Sequence, residues 1–333
     1  MQIHQDRAEK LENWLNSIIE TKFKITAISG DASFRRYFRV NTGEQSLIAV
    51  DAPPATENTS LFVQLSRALQ AREIAASKVI ACDLQNGFML QADIGNLHLA
   101  DVINQANYQT HYQNLFPLIN KFQQLNQEQD LNLANYNEAM LTTEGQIFLE
   151  WYVKRHLDFQ HTEAFLTLYK KLESIITKAF TCQPQRVIHR DFHCKNIMLD
   201  TAQSPPYTLI DFQGAVHGPI TYDLVSLLRD CYLVWPVDAV TQLSELYRAQ
   251  YHPQISTENW QYWFDLTGLQ RHLKCLGIFC RLYYRDNKAD YLKYLPNVLS
   301  YCLQVCQRYP QLREFAHWLE THSIKNEITT NAK

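Results

Sequence analysis

One stretch, VIHRDFHCKNIMLD at residues 187–200, constrains the fold of this 333-residue chain more than any other. Two apolar segments enclose His189, Arg190 and Asp191, and Asn196 follows Asp191 after four intervening residues. Polar groups inside an apolar run are costly unless each has a partner or a task. The stretch therefore predicts a short loop between buried β-segments, with Asp191 and Asn196 held at defined positions.

The spacing His-Arg-Asp-x-x-x-x-Asn is typical of the catalytic loop of protein-kinase-like phosphotransferases. In such a loop the aspartate accepts the proton of the acceptor hydroxyl, and the asparagine reaches a magnesium ion on the phosphates. A second metal-binding carboxylate should follow a short strand, and Asp211 follows the β-like run YTLI. We therefore predict Asp191 as the catalytic base, and Asn196 and Asp211 as ligands of Mg²⁺ on ATP. The alternative is that Asp191 and Asn196 only cap turns.

The first hundred residues predict a small sheet with helices beside it. FKITAISG, FRRYFRV and SLIAV are β-rich, and the turn signal QNG joins KVIACDL to FMLQADI in a hairpin. LFVQLSRALQA and the first twenty residues have helical period, and helices dominate after about Gly95. The expected fold class is α+β and protein-kinase-like. It comprises a small nucleotide-binding lobe at 1–95, a larger helical lobe with the catalytic loop and acceptor site at 96–320, and a polar tail at 321–333.

Composition excludes several classes of function. The formal net charge is −3, so no basic surplus exists to bind a nucleic acid. No apolar stretch is long enough to span a bilayer, and the first residues resemble an amphipathic helix more than a signal peptide. We expect a soluble, cytoplasmic protein without a nucleic-acid or membrane partner. The eight cysteines include no Cys-x-x-Cys pair and are expected to be mostly buried thiols.

The residues after the second aspartate narrow the fold family. IDFQGAVHGPITYDL contains neither an Ala-Pro-Glu segment nor a long activation loop. This segment resembles the aminoglycoside phosphotransferase and choline kinase branch. The resemblance implies that Asp223 begins a helix and supports the catalytic loop, and we expect His189 to have a similar supporting role.

A closer resemblance rests on four further segments. They are GDASFRRYFRV (30–40), VDAPPATEN (50–58), FLEWYVKRHL (148–157) and QRHLKCLGIFCRLYYRDNKADYLKYLP (270–296). These are similar to bacterial anomeric sugar kinases that act on N-acetylmuramate and N-acetylglucosamine, from about residue 10 to about residue 315. The resemblance implies transfer of the γ-phosphate of ATP to the sugar C1 hydroxyl, in peptidoglycan recycling. It also implies functional coupling to a sugar 1-phosphate nucleotidyltransferase.

The third strand departs from the kinase pattern. The usual Val-Ala-Ile-Lys is matched by residues 48–51, which places Asp51 at the lysine position. A carboxylate about 4 Å from a phosphate oxygen would repel it by about 4 kcal/mol at an effective dielectric constant near 20. Asp51 must therefore point away from the phosphates or face a cation. We predict that Arg36 contacts the phosphates instead; the alternative is that Arg35, Arg36 and Arg39 are solvated charges at a strand edge.

The remaining nucleotide and acceptor contacts carry weaker signals. Ser33, in the loop SGDAS, is expected to bind phosphate together with backbone N–H groups. The candidate adenine walls are apolar: Val50, Leu90, Leu199 and Ile210. Aromatic packing and a carboxylate-binding arginine suit the sugar, and the candidates for these contacts are Trp151, Arg155, Arg271 and Arg281. Alternatively, these are core residues and solvated charges.

Three functions stay open from the residues alone. The first is an ATP-dependent kinase of an amino-sugar anomeric hydroxyl, and the second is a kinase of another small alcohol, such as an aminoglycoside or choline. The basic segments EWYVKRHL and QRHLK favour a neutral or anionic acceptor. The third is an inactive kinase-like binding module. The missing lysine favours it, whereas the intact Asp191, Asn196 and Asp211 argue against it.

Overall fold

A computed structural model describes residues 2–28, 35–125, 131–200 and 206–330. The chain divides into two compact units. The first unit holds Met1–Val102, Leu125–Asn132 and Lys195–Gly214, and the second holds Ile103–Gln124, Leu133–Cys194 and Ala215–Lys333. The boundary near residue 95 that the sequence suggests stays a prediction.

The first unit contains a five-stranded antiparallel sheet with the order β1-β2-β3-β5-β4. The strands are β1 (Lys24–Ile28), β2 (Arg36–Asn41), β3 (Ser46–Asp51), β4 (Val79–Asp83) and β5 (Phe88–Ala92). The β-rich segments and the β4–β5 hairpin predicted from the sequence are confirmed.

One face of this sheet is covered by helix α1 (Gln2–Ile18). Leu11 and Leu15 of α1 belong to one buried cluster with Ala49 and Leu90 of the sheet. Because neighbouring strand residues point to opposite faces, the even residues of β2 and the odd residues of β3 face α1. Tyr37 points to the other face, where its neighbours come from outside the sheet.

Helix α2 (Thr59–Ala71) and a short hairpin complete the first unit. The side chain of Asn58 accepts a hydrogen bond from Leu61 N and thereby caps α2. The hairpin pairs β7 (Ile197–Leu199) with β8 (Tyr207–Leu209), and helix α3 (Leu99–Val102) packs beside it. A 3₁₀ turn, Cys194–Asn196, precedes β7, and another, Phe212–Gly214, follows β8.

The second unit is mainly helical. Its helices are α4 (Tyr108–Gln123), α5 (Glu138–Ile147), α6 (Glu163–Thr181), α7 (Tyr222–Leu228), α8 (Val237–Tyr251), α9 (Thr257–Asp286), α10 (Leu295–Arg308) and α11 (Arg313–Thr330). Strands β6 (Gln185–Ile188) and β9 (Val216–Pro219) pair antiparallel. The long α9 packs against α5, α6, α7 and α10 and thus organises the core. The polar tail predicted from residue 321 is, as far as residue 330, the end of α11.

A π-helical segment, Phe148–His156, continues α5 where the sequence indicated ordinary helical period. Helix α9 crosses this junction at Gly277, where an added Cβ would lie 2.5 Å from the carbonyl oxygen of Ile147. Only glycine allows so close an approach of two helix backbones. Within the described ranges, no helix combines the length and the apolar character needed to cross a membrane.

Candidate active site

The loop after β6 is held in place by a buried carboxylate. Oδ2 of Asp223 accepts a hydrogen bond from the backbone N–H of His189 at 2.8 Å, and Oδ1 accepts one from Arg190 at 3.0 Å. Arg190 has a φ of 72°, a left-handed conformation that a non-glycine residue adopts at a cost. Burial raises the pKa of Asp223 to about 7, against the opposing effect of the two N–H groups. Asp223 thus binds the loop backbone at His189 and Arg190, and the supporting role of Asp223 and His189 stays a prediction.

Asp191 follows in a strongly positive environment. Burial by itself raises the pKa of this carboxyl, but Lys274, His193, Arg190 and Arg271 together hold the pKa below its usual range. The side chain is therefore ionised at neutral pH. An ionised carboxylate in this loop can orient an acceptor hydroxyl and accept its proton.

Glu144 of α5 holds two of these cations. Its side chain is 6% exposed, and Oε1 lies 2.6 Å from Nη2 of Arg190 and 2.8 Å from Nζ of Lys274. Gln270 donates a hydrogen bond to Oε2 at 2.7 Å, and the Tyr136 hydroxyl contacts the same oxygen. Burial raises the pKa of Glu144, but Lys274 and Arg190 lower it by more than burial raises it, so the net shift of the pKa is downward.

The sequence did not identify Glu144, although a signal existed. Leu141, Glu144 and Phe148 recur at helical spacing and are all buried. A glutamate on the apolar stripe of a helix is almost never fully buried without a partner. Such a residue therefore predicts a buried cation on a neighbouring element, which here is Lys274 on α9.

The β7–β8 hairpin brings Asn196 and Asp211 together in the first unit. Ile197 pairs with Leu209, and Ile210 N–H continues the ladder by donating to Asn196 O at 3.1 Å. Asp211 follows with a φ of 61° and a side chain that is 41% exposed. The backbones of Asn196 and Asp211 are therefore close to each other at the open end of the hairpin, and the binding of a metal ion by their side chains stays a prediction.

The donor set at this end fits Mg²⁺, which prefers oxygen ligands. Gln213 Nε2 donates to Oδ1 of Asp211 at 2.6 Å and orients the carboxylate. No three His, Cys, Asp or Glu side chains form a metal cluster in the part of the chain that the structure describes. A magnesium ion would thus take one carboxylate and one amide from Asp211 and Asn196, and its other ligands from phosphate oxygens and water.

Asp51 faces cations, as its position in the sequence required. It is fully buried on the α1 face of the sheet. Oδ1 accepts a hydrogen bond from Nε of Arg7 at 3.0 Å, and Oδ2 accepts one from Nε of Arg36 at 2.9 Å. Arg36 lies directly opposite Asp51 in the β2–β3 register, so both point to this face. The guanidinium of Arg36 is therefore engaged by Asp51, and its phosphate contact stays a prediction.

The candidate adenine walls do not share one face. Leu90 packs in the buried cluster with α1, whereas Val50, next to Ala49, points to the opposite face of the sheet. The contact of Leu90 with adenine stays a prediction. Leu199 and Ile210 are half-buried at opposite ends of the β7–β8 hairpin. Ser33 lies outside the described residues.

Of the four acceptor candidates, Arg271 contributes to the electrostatic environment of Asp191. It is 4% exposed, and its Nη1 lies 3.4 Å from Sγ of Cys231. Arg281 lies ten residues later on α9, about 15 Å further along the helix axis. Arg155 is exposed, with its guanidinium 5.3 Å from the ring centre of Tyr284, and Trp151 packs against the core of the second unit.

A model of the phosphotransferase enzyme family matches residues 24–263. The chain belongs to this family. The N-acetylmuramate/N-acetylglucosamine kinase of Pseudomonas putida is 33% identical to the chain over 329 residues, which cover 93% of this chain and 95% of that kinase. The resemblance found in the four sequence segments is thereby confirmed.

Solved structures place this phosphotransferase in the protein-kinase-like fold. Plasmodium vivax ethanolamine kinase has a TM-score of 0.64 at 11% identity, covering 93% of this chain and 96% of that one. The aminoglycoside phosphotransferase APH(2'')-Ib, solved with ADP, has a TM-score of 0.61 at 12% identity, covering 88% and 97%. The predicted α+β, protein-kinase-like fold class is confirmed.

Proposed function

We propose that the protein is an ATP-dependent kinase that phosphorylates the anomeric C1 hydroxyl of N-acetylmuramate or N-acetylglucosamine. The main support is the match with the Pseudomonas putida kinase over nearly the full length of both chains. The ionised Asp191, in a loop of kinase spacing, is the chemical group that this reaction needs. The products would be a sugar 1-phosphate and ADP.

In the proposed reaction Asp191 accepts a hydrogen bond from the C1 hydroxyl and then its proton. A hemiacetal hydroxyl is more acidic than an ordinary alcohol, and phosphoryl transfer has a loose transition state, so little proton transfer is needed early. The main task of the site is to hold the hydroxyl in line with the γ-phosphorus. The hydrogen bonds from His189 and Arg190 to Asp223 keep the loop that carries Asp191 fixed for this task.

Asn196 and Asp211 are proposed to hold Mg²⁺ on the phosphates of ATP. A metal ion there would neutralise phosphate charge. The closeness of the two backbones and the half-exposed carboxylate of Asp211 support this assignment. Val50, Leu199 and Ile210 remain proposed contacts of the adenine, and Ser33 a proposed contact of the phosphates.

The acceptor is proposed to bind beside Asp191, with Arg271 as the first candidate partner of a lactyl carboxylate. Trp151, Arg155 and Arg281 remain secondary candidates. Lys274 and Arg271 make the surroundings of Asp191 positive. This charge disfavours cationic acceptors such as choline or aminoglycosides.

The setting of the reaction is also a proposal. A sugar 1-phosphate is a substrate for a nucleotidyltransferase, and we propose such an enzyme as the next step in peptidoglycan recycling. We also propose that the protein is soluble and cytoplasmic and binds small molecules; its formal charge of −3 provides no basic surplus for a nucleic acid.

Phosphorus NMR of a reaction with MgATP tests the proposal. The acceptors are N-acetylglucosamine, N-acetylmuramate, methyl N-acetylglucosaminide, choline and kanamycin. We expect a sugar 1-phosphate signal from the two free amino sugars and none from the methyl glycoside, because its anomeric oxygen is blocked. A 6-phosphate, turnover of the methyl glycoside, or exclusive phosphorylation of choline or kanamycin would show that the proposal is wrong.

A further inference from the structure

Asp51 occupies the position of the kinase lysine, so the phosphates of the proposed nucleotide need a counter-charge from another residue. Asp51 takes the lysine position in the sequence but faces α1, where Arg7 and Arg36 contact it. Moving Arg36 to the phosphates would break its contact with the buried carboxylate of Asp51, which is unfavourable. A cation on the other face of the sheet is therefore a better candidate.

Arg35 lies on that other face. It immediately precedes β2, and because neighbouring residues of a strand alternate, its side chain points away from that of Arg36. Its side chain is only 4% exposed. Nη2 lies 2.7 Å from Oε2 of Glu57, and Nη1 lies 3.5 Å from Oδ1 of Asp211. One guanidinium thus bridges a buried carboxylate and the proposed metal-binding carboxylate.

Aromatic rings fix this guanidinium further. The Cζ of Arg35 lies 5.5 Å from the ring centre of Phe62, a distance at which a cation–π contact is favourable. Phe62 stacks on Phe212, the residue after Asp211, with ring centres 4.5 Å apart. Glu57 directly precedes the cap of α2, so the helix, the arginine and the metal-binding turn form one packed group.

The charges of this group are graded from inside to outside. The side chains of Arg35 and Glu57 are 4% and 14% exposed, whereas that of Asp211 is 41% exposed. The open side of the group is therefore a carboxylate with a cation fixed behind it. The group carries one net negative charge, compared with two if the guanidinium were absent.

We propose that Arg35, anchored by Glu57, replaces the kinase lysine as the positioning cation of Asp211 for the magnesium–nucleotide complex. The inference rests on the proposed function for its nucleotide. Arg35 is a positioning residue, because it acts through Asp211. It limits the negative charge that MgATP meets and fixes the orientation of the carboxylate that holds the metal.

Single and double substitutions at Arg35 and Glu57 distinguish the positioning of Asp211 by Arg35 from a purely structural role of Arg35. Arg35→Met leaves Glu57 buried without its arginine and is expected to lower stability. Arg35→Met with Glu57→Leu removes both charges, and apolar replacement of a buried pair usually preserves stability. Arg39→Met is the control, since Arg39 lies on β2 shortly after Arg35 and pairs with another carboxylate, that of Asp93, at 2.7 Å.

MgADP and MgATP binding are measured by calorimetry without sugar, together with unfolding temperature. We expect the double variant to unfold near the wild-type temperature yet bind MgATP about 10- to 100-fold more weakly, because Asp211 loses the guanidinium that orients it. The net charge of the group does not change in this variant, since Glu57 is removed as well. Arg35→Lys should recover part of that loss, and Arg39→Met should bind nucleotide normally. Wild-type affinity for MgATP in the double variant would overturn the role of Arg35.

If the protein is not an amino-sugar kinase, the measurements give a different result from the one that would overturn the role of Arg35. A wild-type protein that binds MgATP but phosphorylates no amino sugar contradicts the acceptor assignment and leaves the Arg35 comparison valid. A wild-type protein that does not bind MgATP contradicts both. If Arg36→Met weakens nucleotide binding and the double variant at Arg35 and Glu57 does not, the counter-charge is Arg36.

Discussion

Oδ2 of Asp223 accepts a hydrogen bond of 2.8 Å from the backbone N–H of His189. The contact joins the start of α7 to the first residue after β6, 34 positions earlier in the chain. Because Asp223 is completely buried, its carboxyl group has backbone N–H groups as hydrogen-bond donors in place of water. Burial is the larger effect, and it raises the pKa of Asp223 to about 7.

The first prediction concerns Asp223→Asn. An unfolded aspartate has a pKa near 3.9, so between about pH 4 and pH 7 the folded protein holds a proton that the unfolded chain has lost. The bound proton therefore contributes fully to the free energy of unfolding below about pH 4, and this contribution is lost as the pH rises to 7. Asparagine cannot ionise, so the stability lost on substitution should be about 2 kcal/mol smaller at pH 8 than at pH 5.

Urea unfolding of both proteins at several pH values measures this difference. Asp286→Asn is a suitable control, since Asp286 lies at the end of α9 with only the exposed Arg285 as its hydrogen-bond partner among the described residues. A cost of Asp223→Asn that does not change between pH 5 and pH 8 would mean that Asp223 ionises normally in the folded protein.

The second prediction contrasts Asp191 with Asp211. Asp191→Asn should bind MgADP as the wild type does but lose turnover by about 10²- to 10⁴-fold, because it removes the proton acceptor. Asp211→Ala should lose magnesium-dependent ADP binding itself, because it removes the metal-binding carboxylate. Calorimetry with and without magnesium, combined with single-turnover kinetics, separates binding from chemistry. Loss of nucleotide affinity in Asp191→Asn, or normal use of MgATP by Asp211→Ala, would contradict these roles.

The third prediction separates the acceptor candidates. Arg271→Met should raise the KM for N-acetylmuramate about 10- to 100-fold through loss of a charge-assisted contact, and should affect N-acetylglucosamine much less. The reason is that only N-acetylmuramate carries a lactyl carboxylate. Steady-state kinetics with both sugars measures the ratio of the KM for N-acetylmuramate to the KM for N-acetylglucosamine. Arg155→Met is the control; if it alone changes the ratio, Arg155 is the carboxylate partner.

Local spacing explains what could be predicted from the sequence. His189, Asp191 and Asn196 lie within eight residues, and Asp211 follows one short hairpin, so their relationship depends on few backbone angles. The strands of the first unit could likewise be predicted from the sequence, because their β-rich runs are separated by turn residues. The fold class and the closeness of the Asn196 and Asp211 backbones follow from such short-range patterns.

Long-range partners could not be predicted in this way. Arg35 and Arg36 are adjacent in the sequence, but Arg36 meets Asp51 across the β2–β3 pair. Arg35 instead meets Glu57 and Asp211, which follow β3 and β8. Asp51 pairs with Arg7, 44 positions away, which no local period reveals. Glu144 meets Lys274 over a separation of 130 residues. These contacts depend on how elements pack, and the sequence carries that information only through the complete fold.

The fourth prediction tests the contact between Glu144 and the two cations near Asp191. Glu144→Gln leaves Lys274 and Arg190 without their shared carboxylate in a buried setting, and we expect a loss of about 3 kcal/mol in the free energy of unfolding. The control is Glu150→Gln in the adjoining π-helical segment. Glu150 pairs with Lys154 on the surface, with a side chain that is 54% exposed, and should contribute about 0.5 kcal/mol or less.

The pH dependence of this cost has a definite sign. The pKa of Glu144 is lowered in the folded protein, so its stabilisation is present above the unfolded value, near 4.3, and is lost as the pH falls below it. The difference between wild type and Glu144→Gln should therefore be equally large at pH 7 and pH 5 and shrink only as the pH falls below about 4, as measured by urea unfolding. Turnover should fall as well, because Lys274 and Arg190 would no longer be held beside Asp191. Equal, small costs for Glu144→Gln and Glu150→Gln at pH 7 would show that the buried contact does not stabilise the site.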